Sequence, residues 1–285
     1  MTQPTADQLL ETSQRTSQPK EDAIPAPRAD CIADSAGGLT FDVLDGGGSG
    51  RAHLVLVRRT AEEDVVRLPL TPVAQGRLRA VLPSGVELAE GRWETHIRVG
   101  DAEPRRLTPG INDLRALVDR SPDPGAARIA VRIPYTTKHG NLSVRSWLRA
   151  PHAEAGDLTL GQDRLTVRGR LYGAALAQGA HMELSAGREG PVLRAEVTAE
   201  PSVPGGFSCT VEHGTLTEGA WRFRLRPAGE EGPRVRLSRL LDDVADKHDV
   251  FHYPGTDYPP SAPSLHVRPA YTASNDLTLT VTPVP

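Results

Sequence analysis

The chain is short of several things at once. Of its 285 residues only two are cysteine, twelve are aromatic and three are lysine. Cys31 and Cys209 are too few and too far apart for a disulfide framework or a four-ligand zinc site. A reducing, cytoplasmic setting is the expectation that follows. No apolar run approaches the ~18–20 residues needed to cross a bilayer, so no transmembrane segment is expected. The N-terminus lacks a charged stretch followed by an apolar one, which argues against a secretory signal. A net charge of −3 excludes a generally cationic surface, and with it nucleic acid as the expected partner. Catalytic signatures are missing too. There is no G-x-S-x-G elbow and no cysteine-protease context. The run Asp45-Gly-Gly-Gly-Ser-Gly-Arg51 lacks the lysine and the following helix of a phosphate loop, and is expected to be a flexible strand connection. No catalytic residue, cofactor or resident metal is expected.

What the chain does have is proline and glycine, 25 and 27 residues. That density interrupts a chain too often for long helices and suits short strands joined by turns. An internal repeat organises them. Leu88-Ala-Glu-Gly-Arg-Trp93 recurs as Leu216-Thr-Glu-Gly-Ala-Trp221, and His53–Leu56 aligns with His181–Leu184 at the same offset. Leu39–Asp42 aligns with Leu165–Arg168, and Leu114–Val118 with Leu240–Val244. Tyr135-Thr136 with Asn141-Leu142 aligns with Tyr271-Thr272 and Asp276-Leu277. Five colinear matches at nearly constant spacing mark a tandem duplication.

Within each copy the apolar residues alternate. Trp93, Thr95, Ile97 and Val99 interleave with Glu94, His96 and Arg98, and Trp221, Phe223 and Leu225 with Arg222, Arg224 and Arg226, the period of a half-buried strand. Seven or so short strands per copy predict an all-β chain of two tandem immunoglobulin-like antiparallel β-sandwiches. The expected organisation is a disordered tail over 1–36, a first sandwich over 37–149, a linker over 150–164 and a second sandwich over 165–285. The segments 112–118 and 238–244, apolar at helical spacing, predict one short helix or turn per copy. Gly91 and Gly219 are expected to open a positive-φ turn that delivers each Trp to its core.

Two surfaces stand out as candidate binding sites. The first is Asp246–Tyr258, where copy two carries extra residues and where Phe251, Tyr253 and Tyr258 concentrate a quarter of the chain's aromatics. There His248 and His252 stand at i, i+4, a spacing that puts two imidazoles on one helical face with Asp249 or Asp246 nearby. Pro254 opposes a helix. The stretch is open to three readings: an ordered surface loop capping the sandwich, a binding loop, or a metal site. The second surface is the stripe Arg222, Arg224 and Arg226, which projects from one face if Trp221, Phe223 and Leu225 point inward. Guanidinium forks recognise phosphate and carboxylate, so a polyanion is one reading of it. Pairing with local acids such as Glu230 and Glu231 is the other.

The stretch Ile133-Pro-Tyr-Thr-Thr-Lys-His-Gly-Asn-Leu-Ser143, with the two Glu-Gly-x-Trp elements, resembles accessory β-modules of actinobacterial cell-envelope glycosyltransferases of the family-2 and teichoic-acid type. The resemblance implies sandwich modules for polymer binding, oligomerisation or docking to a transferase, and no catalytic residues. The functional expectation is a non-catalytic interaction protein that docks a partner enzyme, self-associates or binds an anionic cell-envelope glycan. An enzyme, hydrolase or transferase, with its site in the 246–258 loop or between the two sandwiches is the alternative.

Overall fold

The computed structural model describes residues 26–44, 50–118, 120–123, 125–187 and 189–284. It is all-β, with one four-residue helix and short 3₁₀ turns among the described residues. The first ten strands are β1 (Arg28–Ala33), β2 (Leu39–Leu44), β3 (Ala52–Arg58), β4 (Ala61–Pro72), β5 (Leu78–Leu82), β6 (Gly91–Val99), β7 (Arg105–Arg106), β8 (Thr108–Asp113), β9 (Ile129–Thr136) and β10 (Leu142–Arg149), with α1 (Arg115–Val118) between β8 and β9. The second ten are β11 (His152–Leu160), β12 (Arg164–Tyr172), β13 (His181–Ala186), β14 (Val192–Ala199), β15 (Gly206–Glu212), β16 (Gly219–Arg226), β17 (Val235–Ser238), β18 (Thr256–Tyr258), β19 (Leu265–Tyr271) and β20 (Leu277–Pro283).

The two sets pair in the same order. The first runs β8-β1-β2-β5-β4-β3-β6-β10-β9, the second β17-β11-β12-β15-β14-β13-β16-β20-β19, with β7 and β18 as the extra members. Four of the five repeated sequence pairs fall on corresponding strands of these two series; the fifth, Leu114–Val118 with Leu240–Val244, does not. Each unit wraps as a near-barrel. In the second, β16 pairs both β13 and β17, so seven strands close into a ring. In the first, no ladder among the described residues joins β8 to β6. The pairing is not wholly antiparallel, because β1 runs parallel to β8 and β11 parallel to β17.

Alternation decides what is buried. Trp93, Ile97, Phe41, Leu54 and Leu56 fill the first core; Trp221, Phe223, Leu225, Phe207 and Leu184 fill the second. Each repeat tryptophan donates its indole N–H to the carbonyl four residues earlier, Ala89 at 3.0 Å and Thr217 at 2.9 Å. A ring is thus buried with its one polar atom satisfied. The turn before it uses a backbone region that only glycine enters freely: φ is 142° at Gly219.

Three expectations of the sequence need correction. Residues 28–33 of the expected tail form β1, since Ala29, Cys31 and Ala33 alternate inward as small core residues; residues 1–25 of that tail, and 45–49 of the glycine-rich connection, lie outside the described residues. The expected linker is strand. β11 occupies 152–160, burying His152, Ala153 and Ala155, and β12 begins at Arg164. Finally, only the first copy has a helix at 115–118. Its counterpart makes bends, and Leu240 is instead built into the first unit's core beside Tyr172, Leu117 and Trp147.

That insertion ties the units together. Glu154 on β11 accepts the N–H groups of Leu240 at 2.9 Å and Leu241 at 3.0 Å, and lies 2.7 Å from His152 Nε2. Lys247 is fully buried; its ammonium donates to the Asp242 carboxylate and, at 2.5 Å, to the Val244 carbonyl. Burial pulls that ammonium below the usual lysine range despite Asp242 beside it. No helix among the described residues is long and apolar enough to cross a membrane.

Candidate functional site

β6 turns Arg92, Glu94 and His96 outward at every second position, and these residues floor a cleft of about 730 Å³. Arg106 of β7 and Arg145 of β10 stand beside them. The end of β9 adds Tyr135 and the β9–β10 turn Lys138, His139 and Asn141, and Asp246 and Asp249 of the insertion form the wall contributed by the second unit. A second cleft of about 340 Å³ lies on β16, lined by Arg222, Arg224, Arg236, Thr272, Ala273, Ser274 and Asp276. The two meet where Arg145 Nη2 donates to the Ala273 carbonyl at 3.3 Å.

Charge in these clefts is unbalanced. The larger holds five arginine and lysine side chains against three carboxylates, the smaller three arginines against Asp276. Only part of this is neutralised: Arg92 and Asp246 stand 3.5 Å apart, as do Arg106 and Glu94. Burial, reinforced by Arg106, holds His96 below the ordinary imidazole range, which favours the neutral ring. Burial and Arg234 likewise lower Arg224.

Beneath the junction lies an ion network centred on the buried Arg149. The Arg149 fork donates to both oxygens of Glu90 at 3.1 and 3.2 Å, and its third nitrogen reaches Ser238 Oγ at 2.5 Å and Asp276 Oδ1 at 3.3 Å. Arg236 joins Glu90 at 3.0 Å and Asp276 at 3.5 Å. Burial alone would raise the Glu90 carboxyl. The hydrogen bonds and charges of Arg149 and Arg236 outweigh it and hold Glu90 below its usual range.

The residues singled out from sequence do not form one site. Phe251 and Tyr253 stack at 6.5 Å and both pack on Tyr271, at 6.0 and 6.1 Å, against the second core, with the Arg239 guanidinium 4.8 Å above Phe251. Tyr258 sits apart on β18, its ring edge-on to His213 at 6.0 Å. No helix forms at 248–252. His248 Nδ1 donates to the Tyr271 carbonyl at 2.9 Å and His252 Nε2 to the Asp249 carbonyl at 3.2 Å. No group of three His, Cys, Asp or Glu residues is arranged to hold a metal among the described residues. In the arginine stripe, Arg226 is tied down by Glu183 at 3.3 Å and by the Gly232 carbonyl at 2.9 Å, and Arg224 donates to Ser185 Oγ at 3.1 Å. Arg222 stays exposed. Sequence reasoning missed Arg92, Arg145 and Asp246 as one cluster. The available signal was the alternating polar face Glu94, His96 and Arg98, which Arg92 extends by one step at the start of β6.

No family model and no curated protein matches the chain. Among solved structures it is similar to S. aureus TarS, at 13% identity over 65% of this chain and 35% of that one, with a TM-score of 0.30. It is also similar to a tetra-tandem repeat from the extending region of a large adhesion protein (11% identity, 91% of this chain and 63% of that one, TM-score 0.23) and to the FN1–FN3 domains of chicken CNTN1 (11%, 74% and 64%, TM-score 0.19). The chain thus spans about a third of TarS and under two thirds of the other two. At these TM-scores the likenesses carry no functional argument.

Proposed function

We propose that the chain is a non-catalytic binding protein, built from two copies of one immunoglobulin-like unit, whose ligand is an anionic glycan laid on the face where the units meet. One observation carries the reading: on a chain of net charge −3, two adjoining open clefts hold five and three basic side chains against three carboxylates and one. A cleft walled by charged and hydroxyl groups suits a hydrated, polar ligand better than the apolar patch of a protein partner. Guanidinium forks supply paired donors for the oxyanions of such a polymer. The free, buried Cys31 and Cys209 are in keeping with a reducing, cytoplasmic setting.

Affinity electrophoresis through gels containing polygalacturonate or, as control, neutral dextran tests the reading. Retardation by the acidic polymer is expected at low salt and declines as ionic strength rises, because exposed charges are screened within about 10 Å at 0.1 M salt. Equal migration in acidic and neutral gels refutes it.

A further inference from the structure

We propose that Arg92 and Arg145 form a seat for a dianionic oxyanion of the phosphate-monoester class, present in the first unit and absent from the second. This rests on the anionic-ligand reading above and goes further by naming the charge state and the residues.

Strand register carries the argument. Arg145 of β10 is the direct cross-strand partner of Arg92 of β6, and both side chains open into the larger cleft. Directly opposed positions hold their Cβ atoms about 4.5–5.5 Å apart, where like charges repel. Burial and, next, the Arg92 charge lower the Arg145 guanidinium from its ordinary range. Arg92 has Asp246 at 3.5 Å. Arg145 has no carboxylate within ion-pair distance among the described residues; it lies 5.0 Å over the Trp147 ring and donates to the Ala273 carbonyl.

The fold does not require this arrangement. In the second unit the same two strands carry the same pairing, with Trp221 opposite Leu279 where the first unit has Trp93 opposite Val144. There the position of the arginine pair is held by Ala220 and Thr280. One copy of a duplicated scaffold thus stores a like-charge pair that the other does without. A bound anion relieves the repulsion and turns it into a preorganised fork pair. The larger cleft's five cations and three carboxylates leave two positive charges, which a dianion neutralises and a single carboxylate does not. Tyr135 pairs with Ser143, two residues from Arg145 on the same face, so its ring stands one row from the seat and offers a surface for a sugar that carries the phosphate.

Two sources supply this chemistry, free phosphate and a phosphorylated sugar, and titration calorimetry on the full chain separates them. The probes are inorganic phosphate, glucose 6-phosphate, glucuronate and glucose in low-salt buffer. Glucose 6-phosphate is expected to bind one-to-one and at least tenfold tighter than glucuronate, with glucose silent. Inorganic phosphate matching glucose 6-phosphate keeps the seat and assigns it to the free ion. The double variant Arg92→Ala/Arg145→Thr copies the pair of the second unit. It is expected to lose at least tenfold in affinity while melting no lower than the parent. Arg145→Gln, which keeps a donor for the Ala273 carbonyl, gives the same loss if the double variant folds poorly. Affinity within threefold of the parent in either variant overturns the seat, as does glucuronate binding as tightly as glucose 6-phosphate. If polygalacturonate still retards a chain that ignores phosphate, the seat falls and the wider reading stands. If neither anion binds, both fall.

Discussion

Replacing Arg149 by methionine is expected to uncouple the two units without unfolding either. The guanidinium is 6% exposed and carries four hydrogen bonds, two to Glu90 of its own unit and one each to Ser238 and Asp276 of the other. Breaking a buried ion pair from one side typically costs about 3–5 kcal/mol, because the partner charge is left without compensation. Arg236 still reaches both carboxylates, and Glu90 is 28% exposed, so the lower end applies. About 3 kcal/mol is a factor of roughly 150 in the equilibrium between docked and undocked units. In scanning calorimetry the parent is expected to melt in one transition. The Arg149→Met variant should show two, the earlier lowered by about 6 °C at ~2 °C per kcal/mol for a chain of this size. Arg236→Met is the control: its side chain is 42% exposed, and loss of so wet a pair costs less than ~1 kcal/mol. An Arg149→Met variant that melts in a single transition within about 1 °C of the parent refutes the idea that this network couples the units.

Acid sensitivity follows from the same chemistry. Arg77 and Arg79 hold Asp30 and Asp42 below the usual carboxylate range, and at Glu90 and Glu183 the arginine partners outweigh burial with the same result. Because the folded values are depressed, the unfolded chain binds the protons more tightly. The stabilisation is therefore complete above the unfolded values near about 4 and is lost as pH falls through the folded ones. The urea midpoint is expected to be level from pH 7 to 5 and to drop below about 4.5; a midpoint that rises on acidification contradicts this. Gly219→Ala isolates backbone strain: the new Cβ meets nothing closer than the Ala186 methyl at 3.7 Å, so the ~1–3 kcal/mol loss expected in urea unfolding comes from the φ of 142° alone. Gly85→Ala, with open space around it, should stay within about 0.5 kcal/mol of the parent.

Where large residues mark the pattern, the chain's strands are visible in its sequence. Trp93-to-Val99 and Trp221-to-Leu225 announce both the strand and its buried face, and four of the five repeated pairs land on matching strands. β1 and β11 escape for the opposite reason: their inward residues are Ala29, Cys31 and Ala33, and Ala153 and Ala155, whose small side chains give alternation little amplitude, while the Pro, Gly and Asp around 151–163 imitate a connection. The stripe Arg222, Arg224 and Arg226 is visible because its members lie two apart on one strand. Arg92 and Arg145 lie 53 positions apart and meet only through the register of β6 with β10, which side-chain spacing does not reveal. The two repeat tyrosines differ for a like reason, Tyr271 being the one aligned with Tyr135. Tyr271 pairs with Leu277 where Tyr135 faces Ser143, and that one-residue slip sends one ring into the core and the other to the cleft.

The intrusion of Leu240 and Leu241 into the first core bears on how the protein is made. A ribosome finishes β10 at Arg149, yet the apolar side chains that complete that unit's interior emerge only some ninety residues later. At ~5–20 residues per second that is a delay of roughly 5–20 s, during which the first unit waits with an unsealed flank. The halves are duplicates in design but not in schedule: the first to be synthesised stays incomplete until most of the second has emerged, up to β17.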